Sequence, residues 1–220
     1  MKSIFLILTI AFIAQATSAQ SKFKAGVNYN IGTSTYYGSK MNNIHGAGHE
    51  MPVYAVKISN GMGVKFLYNI NDKFALTLNT AYQQRGAIFD KGMYAYTPAY
   101  EFNYLDVMLG IAYQTKEVIK KSKLCFNISG GYNRLLNSQR VNNYESYNLV
   151  NDAIANDFSA LANVGLNIPR VEKDVIQLSL FANAGFKTVF GGVLADNGQV
   201  GKNLVIGLQV GYLFGFTKKE

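Results

Sequence analysis

The stretch NLVIGLQVGYLFGF, residues 203–216, alternates from end to end. Its even positions, Leu204, Ile206, Leu208, Val210, Tyr212, Phe214 and Phe216, are all large and apolar. Its odd positions, Asn203, Val205, Gly207, Gln209, Gly211, Leu213 and Gly215, are mostly small or polar. A period of two is the mark of a strand with two unlike faces.

Working back from this segment, the same alternation returns in DVIQLSLFANAGFKTV (174–189), DFSALANVGLNI (157–168), KLCFNISGGY (123–132) and NYLDVMLGIAYQ (103–114). It continues in KFALTLNTAYQQR (73–85), GVKFLYNI (63–70) and FKAGVNYNIG (23–32). With 203–216 these make eight strands. Pro52, Pro98 and Pro169 fall between strands or at their ends, where the missing N–H does no harm. Short connections at Asn71-Asp72, 116–122 and 169–173 alternate with longer ones at 33–52, 86–100, 137–156 and 190–202. Tight turns at one end and long loops at the other describe an up-and-down barrel.

The inward face distinguishes two kinds of barrel. A water-soluble, lipocalin-like barrel lines its interior with the large apolar residues and covers its surface with charge. Here the mixed face is Gly, Ala, Ser and Asn with few charges, and the apolar face carries no charge across its central part. Small residues suit the crowded interior of a narrow barrel. A Lys or Arg at mid-depth on a lipid-facing surface costs about 2–4 kcal/mol, which accounts for the uncharged apolar face. The sequence therefore predicts an all-β chain: an eight-stranded antiparallel up-and-down transmembrane β-barrel with its large residues toward lipid. In such barrels the short turns face the periplasm and the long loops face outward. Aromatic girdles are expected from Tyr68, Phe74, Tyr113, Phe126, Tyr212 and Phe214 at the inner ends, and from Tyr82, Phe102, Tyr132, Phe158 and Phe186 at the outer ends.

The beginning of the chain fits the same location. MKSIFLILTIAFIAQATSAQ has Lys2, an apolar run from Ile4 to Ala14, and the small-residue site Thr17-Ser18-Ala19. This reads as a signal peptide over 1–19, followed by a barrel domain over 20–220, and it predicts an outer-membrane location. The apolar run is shorter than the roughly 20 residues of a spanning helix. Cys125 is the only cysteine, so no intramolecular disulfide forms. Charged residues make up 15% of the 220, against roughly a quarter in soluble proteins. The balance of 21 Lys and Arg over 13 Asp and Glu is scattered and gives no nucleic-acid footprint. Anionic lipids are the simpler partner.

Two family resemblances follow from these residues. Gln209, Gly211, Phe214 and Phe216 resemble the C-terminal targeting signal of outer-membrane barrels, which implies recognition by the barrel-assembly machinery; here TKKE follows the last aromatic. The wider chain is similar to the PorT-like family of small outer-membrane barrels through KAGVNYNIG, AYQQRGA, FNYLDVMLGIAYQ, NISGGYNRLLNS, NDFSALANVGLNI and GLQVGYLFGF. Some members of that family are tied to secretion or gliding, and the resemblance carries no catalytic residues.

The residues that bear chemistry are few. His45, His49 and Glu50 in HGAGHE read as a solvated loop rather than a metal site, because the intervening glycines disfavour a helix. No catalytic, cofactor or metal residue is assigned. On the inward face, Arg85 and Asp106 lie on neighbouring strands and are expected to pair, since a lone charge in a narrow lumen is costly. Lys24, Lys65 and Lys187 also point inward with no matching acid; Lys24 and Lys187 are placed near the rims and Lys65 deeper. These groups suit a polar plug that fixes barrel shape, or else a narrow pore for small solutes or anions. Tyr36, Tyr37, Tyr94, Tyr96, Tyr100, Tyr144 and Tyr147 fall in the long loops, where they suit protein contact or packing among loops and headgroups. Arg134 and Arg140 are placed to contact lipopolysaccharide phosphates. The function expected is a non-enzymatic envelope scaffold or protein-interaction component, secretion-related or adhesive through its outer loops.

Overall fold

The computed structural model describes residues 22–37, 53–90, 99–119, 121–141, 146–148, 154–170, 174–189 and 201–216. The expected signal peptide over 1–19, His45 and His49 with Glu50, and Tyr94, Tyr96 and Tyr144 lie outside these residues.

Ten strands form: β1 (Phe23–Tyr37), β2 (Val53–Ala55), β3 (Lys57–Asn69), β4 (Phe74–Asp90), β5 (Ala99–Ile119), β6 (Ser122–Val141), β7 (Ser146–Asn148), β8 (Asn156–Pro169), β9 (Val175–Thr188) and β10 (Lys202–Gly215). Eight of them close a ring in the order β1–β3–β4–β5–β6–β8–β9–β10 and back to β1, with every described pairing antiparallel. The chain is an all-β, eight-stranded closed barrel. The short strands β2 and β7 extend the outer ends of β4 and β6. Closure pairs the first strand with the last from Lys24 opposite Gly215 to Tyr37 opposite Lys202. No strand edge of the ring is left open, so its backbone polar groups are satisfied without solvent.

The alternation read from the sequence is the burial pattern of the barrel. In β10 the odd positions are mostly buried and the even positions mostly exposed, so Gln209 is 2% accessible while its neighbour Leu208 is 55%. A belt of apolar side chains faces outward, including Met62, Leu109, Ile111, Ile128, Leu180 and Ile206. Aromatic rings border it. Phe74, Tyr113 and Phe126 lie in series as tilted rings at the short-turn end, with centroids 5.2 and 6.4 Å apart, and Phe23 bridges Phe66 and Phe216 at 6.0 and 5.7 Å. Tyr132 and Phe158 meet at 5.7 Å at the other end.

Three expectations change. The segment 116–122 is largely strand: β5 and β6 continue to a tight turn between Ile119 and Ser122, where Lys121 takes the left-handed φ of 70° that such hairpin turns demand. Second, β4, β5 and β6 run to 17, 21 and 20 residues, beyond the roughly 9–11 needed to cross a bilayer. The expected long loops are therefore partly strand. Third, Tyr36, Tyr100 and Phe102 lie inside, at 5%, 3% and 0% accessibility. Alternation does not stop where the polar loop composition starts. Tyr36 has the parity of inward Ser34, and Phe102 that of inward Tyr104, so neither belongs to a loop or a girdle.

Candidate functional site

The lumen is filled along its length. Asn163 Nδ2 donates to Gln209 Oε1 (3.2 Å), Gln209 Nε2 to Asn30 Oδ1 (2.8 Å), Asn30 Nδ2 to Gln83 Oε1 (3.1 Å), and Gln83 Nε2 to Ser59 Oγ (2.8 Å). This chain of amides joins β8, β10, β1, β4 and β3, including strands that are not neighbours in the ring. Asn28 reaches Asn79 at 2.7 Å, and Thr77 reaches Asn127 at 3.0 Å in the same fashion. Amide networks of this kind lock side chains that would otherwise cost desolvation energy, although Asn28 Oδ1 and Asn163 Oδ1 are left without a partner here.

Apolar layers separate the polar ones. Tyr36, Ala87, Tyr100, Phe102, Tyr104 and Val189 cluster at the outer end. Met108, Leu161, Phe181 and Val205 cluster in a second layer. Leu67, Ala75, Ala112, Cys125, Val175 and Leu213 close the short-turn end. These are the side chains of an interior core rather than the walls of an aqueous bore.

The inward charges sort into three groups. Arg85 and Asp106 form the expected ion pair through the guanidinium Nη2 and Asp106 Oδ2, with both residues almost fully buried. The guanidinium also lies over the Tyr104 ring, 4.8 Å from its centroid. Lys65 is 3% accessible and donates to Gln177 Oε1 at 2.6 Å; Gln177 in turn donates to Asn167 Oδ1 at 2.9 Å. Lys24 stands at the short-turn mouth.

Lys187 departs from the expected inward face. It is exposed, with its ammonium 5.4 Å from the ring of outward-facing Phe158. The cause is a register shift between β9 and β10, where Leu204 pairs with Ala184 but Lys202 pairs with Thr188. Asp157, an inward acid that sequence reasoning passed over, holds the shifted segment. Its Oδ1 accepts from the backbone N–H groups of Phe186 (3.2 Å) and Lys187 (2.8 Å) as well as from that of Phe158 (2.7 Å). Its parity with Ser159 was the signal available, because both occupy the inward positions of β8. Counting Asp157, the buried lumen charges among the described residues are Lys65 and Arg85 against Asp106 and Asp157, two of each sign.

Arg134 and Arg140 separate as well. Arg134 is exposed on the outward face, whereas Arg140 is partly buried and lies over Tyr100 at 6.0 Å. A bulge at Asn103/Tyr104 in the β5–β6 pairing shifts the parity of β6 between the two arginines. In the C-terminal signal, Gln209 and Gly211 face the lumen while Phe214 and Phe216 are exposed. Among the described residues no group of three or more His, Cys, Asp or Glu could hold a metal.

This architecture is that of the small outer-membrane barrels. Neisserial surface protein A shares it with a TM-score of 0.52 at 11% identity, over 88% of this chain and 97% of that one. OprG of Pseudomonas aeruginosa matches at 0.47 and 12%, over 89% and 98%, and Ail of Yersinia pestis at 0.43 and 15%, over 88% and 99%. No family model and no curated protein matches the chain.

Proposed function

We propose that the protein is an integral outer-membrane β-barrel of the PorT-like kind, acting as a non-enzymatic scaffold or protein-interaction component of the envelope. The carrying observation is the inversion of burial: an uncharged apolar belt outside a sealed, hydrogen-bonded interior. An exposed apolar surface that encircles a molecule has no stable place in water. The resemblance to PorT-like barrels through the strand motifs supports the finer reading, as does the aromatic C-terminal signal. The layers of Phe102, Met108 and Leu213 across the lumen favour a scaffold over a narrow pore. Partners are then met by the outer strand extensions, the loops and the rims, with Arg134 available to lipopolysaccharide phosphates.

Two measurements test this. Outer-membrane fractions run with and without boiling should show the mobility shift of a closed barrel; a soluble, periplasmic protein with no shift would refute the membrane reading. Planar bilayers containing the purified protein should stay electrically silent, and discrete conductance steps would replace the scaffold by a pore.

A further inference from the structure

The short-turn mouth of the barrel holds a cleft of about 310 Å³ lined by Lys22, Lys24 and Lys123 together with Asn69, Gln114 and Asp72. We propose that this cleft binds a phosphate-bearing solute that enters along the barrel axis.

The cleft is blind. Asn69, Gln114 and Lys123 stand two residues along their strands from Leu67, Ala112 and Cys125, and therefore on the same inward face. Those three belong to the buried apolar layer that also contains Ala75, Val175 and Leu213. The layer is its floor, so an anion drawn into the mouth stops there. Beyond Lys24 the inward positions Gly26, Leu67 and Ala112 are apolar, and the polar side chains beside them are already engaged. Asn167 donates to Gln114 at 3.3 Å and accepts from Gln177, which accepts from Lys65, so the space below the mouth is filled by bonded side chains.

The charge of this end is one-sided. Besides the three cleft lysines, Lys73, Lys116, Lys121 and Arg170 lie at the turns and strand ends of this mouth, against Asp72, Glu117 and Asp174, seven cations to three acids among the described residues. Asp174 is engaged by the Tyr212 hydroxyl at 2.6 Å and the Gly215 N–H at 3.0 Å and also lies within electrostatic reach of Lys24, so Lys22 and Lys123 carry most of the uncompensated charge of the cleft. A concave site with three lysines against one acid, Asp72, concentrates counter-ions of the opposite charge. Lysine ammonium groups bind phosphate as point charges, and the amides of Asn69 and Gln114 add donors of suitable reach. A volume near the lower end of the range for small-molecule sites suits a compact anion such as a diphosphate or a small phosphate ester. A phospholipid headgroup offers the same chemistry. Exposed Ile70 also lines the cleft, but Lys24, Asn69 and Gln114 stand on the inward face, which favours a free solute.

The test uses the full mature chain, folded in phosphatidylcholine nanodiscs, titrated calorimetrically with inorganic pyrophosphate. Folding is checked separately by the boiling-dependent gel shift, so failure of the barrel reading and failure of the cleft are distinct results. The variant Lys22→Gln/Lys24→Gln/Lys123→Gln should weaken pyrophosphate binding roughly tenfold or more. Lys73→Gln/Lys116→Gln/Lys121→Gln removes the same charge from the same end outside the cleft and should weaken it by less than about threefold, the screened effect of remote charge. No binding at millimolar pyrophosphate, or equal loss in both variants, would overturn the proposal. Should the cleft variant fail to fold, lysine acetylation of the wild type replaces it: pyrophosphate should protect Lys24 and Lys123 but not Lys73, and uniform labelling sinks the idea. Nanodiscs containing phosphatidylglycerol identify the source. Unchanged pyrophosphate affinity assigns the cleft to a free solute, and competition that depends on the three cleft lysines assigns the phosphate to lipid and overturns the free-solute assignment.

Discussion

Replacing Asp106 by Asn tests whether the lumen is a sealed core. The change keeps the side-chain shape but leaves the Arg85 guanidinium, which is 1% accessible, without its counter-charge. Two unit charges about 4 Å apart attract by about 4 kcal/mol at the effective dielectric that describes protein sites. Breaking a buried pair by removing one partner costs roughly 3–5 kcal/mol in general. The Tyr104 ring, 4.8 Å from the guanidinium carbon, retains part of the stabilisation, since a desolvated cation over an aromatic face is worth up to about 2 kcal/mol. The expected loss for Asp106→Asn is therefore about 2–4 kcal/mol. Equilibrium urea unfolding from lipid vesicles, followed by far-ultraviolet circular dichroism because the chain has no Trp, measures it. The companion Arg85→Met/Asp106→Leu removes both charges and should lie within about 1.5 kcal/mol of the wild type, as apolar replacements of buried pairs commonly do. A single variant within about 0.5 kcal/mol of the wild type would refute the reasoning. Water would then reach Arg85 freely, and the interior would be a solvated bore.

Leu109 is 66% accessible in the middle of the apolar belt, so Leu109→Arg should destabilise the lipid-embedded barrel by about 2–4 kcal/mol; a neutral result in the same urea assay would place that face in water. Gly207 and Gly32 face each other across the closing β1–β10 seam, and a Cβ on Gly207 would run into the backbone of Ile31 and Gly32. Gly207→Val should accordingly abolish the boiling-dependent mobility shift, and an unchanged shift would show that the seam can spread. At the short-turn rim, the Tyr212 hydroxyl, the Gly215 N–H and the charge of Lys24 together hold the Asp174 carboxyl below its usual range. A carboxylate depressed by folding stabilises the fold above its unfolded value, near pH 4, and loses that effect as pH falls through the folded value. Asp174→Asn should thus lower the urea midpoint at pH 7 and flatten its decline on acidification; an identical acid profile in both proteins would remove Asp174 from that role.

Period-two alternation was enough to specify the eight strands that close the ring and their two faces, because one register of a two-faced strand buries one whole set of side chains. The inward parity of Lys65, Arg85 and Asp106, which are buried in the barrel, and the exposure of Leu208 and Phe214 were both legible in the alternation. What the sequence could not carry was the position of irregularities and of contacts across the lumen. The register shift that brings Lys187 out over Phe158, and the bulge that turns Arg140 toward Tyr100, depend on how two strands pair, not on the composition of either. Strand length was hidden for a related reason. Tyr36 and Tyr100 sit in polar, loop-like stretches, yet a paired neighbour keeps the backbone extended and carries them inward. The amide chain from Asn163 to Ser59 spans residues far apart in sequence, so only closure of the barrel brings it together. Alternation sets which way a side chain points; the tertiary structure decides what it meets there.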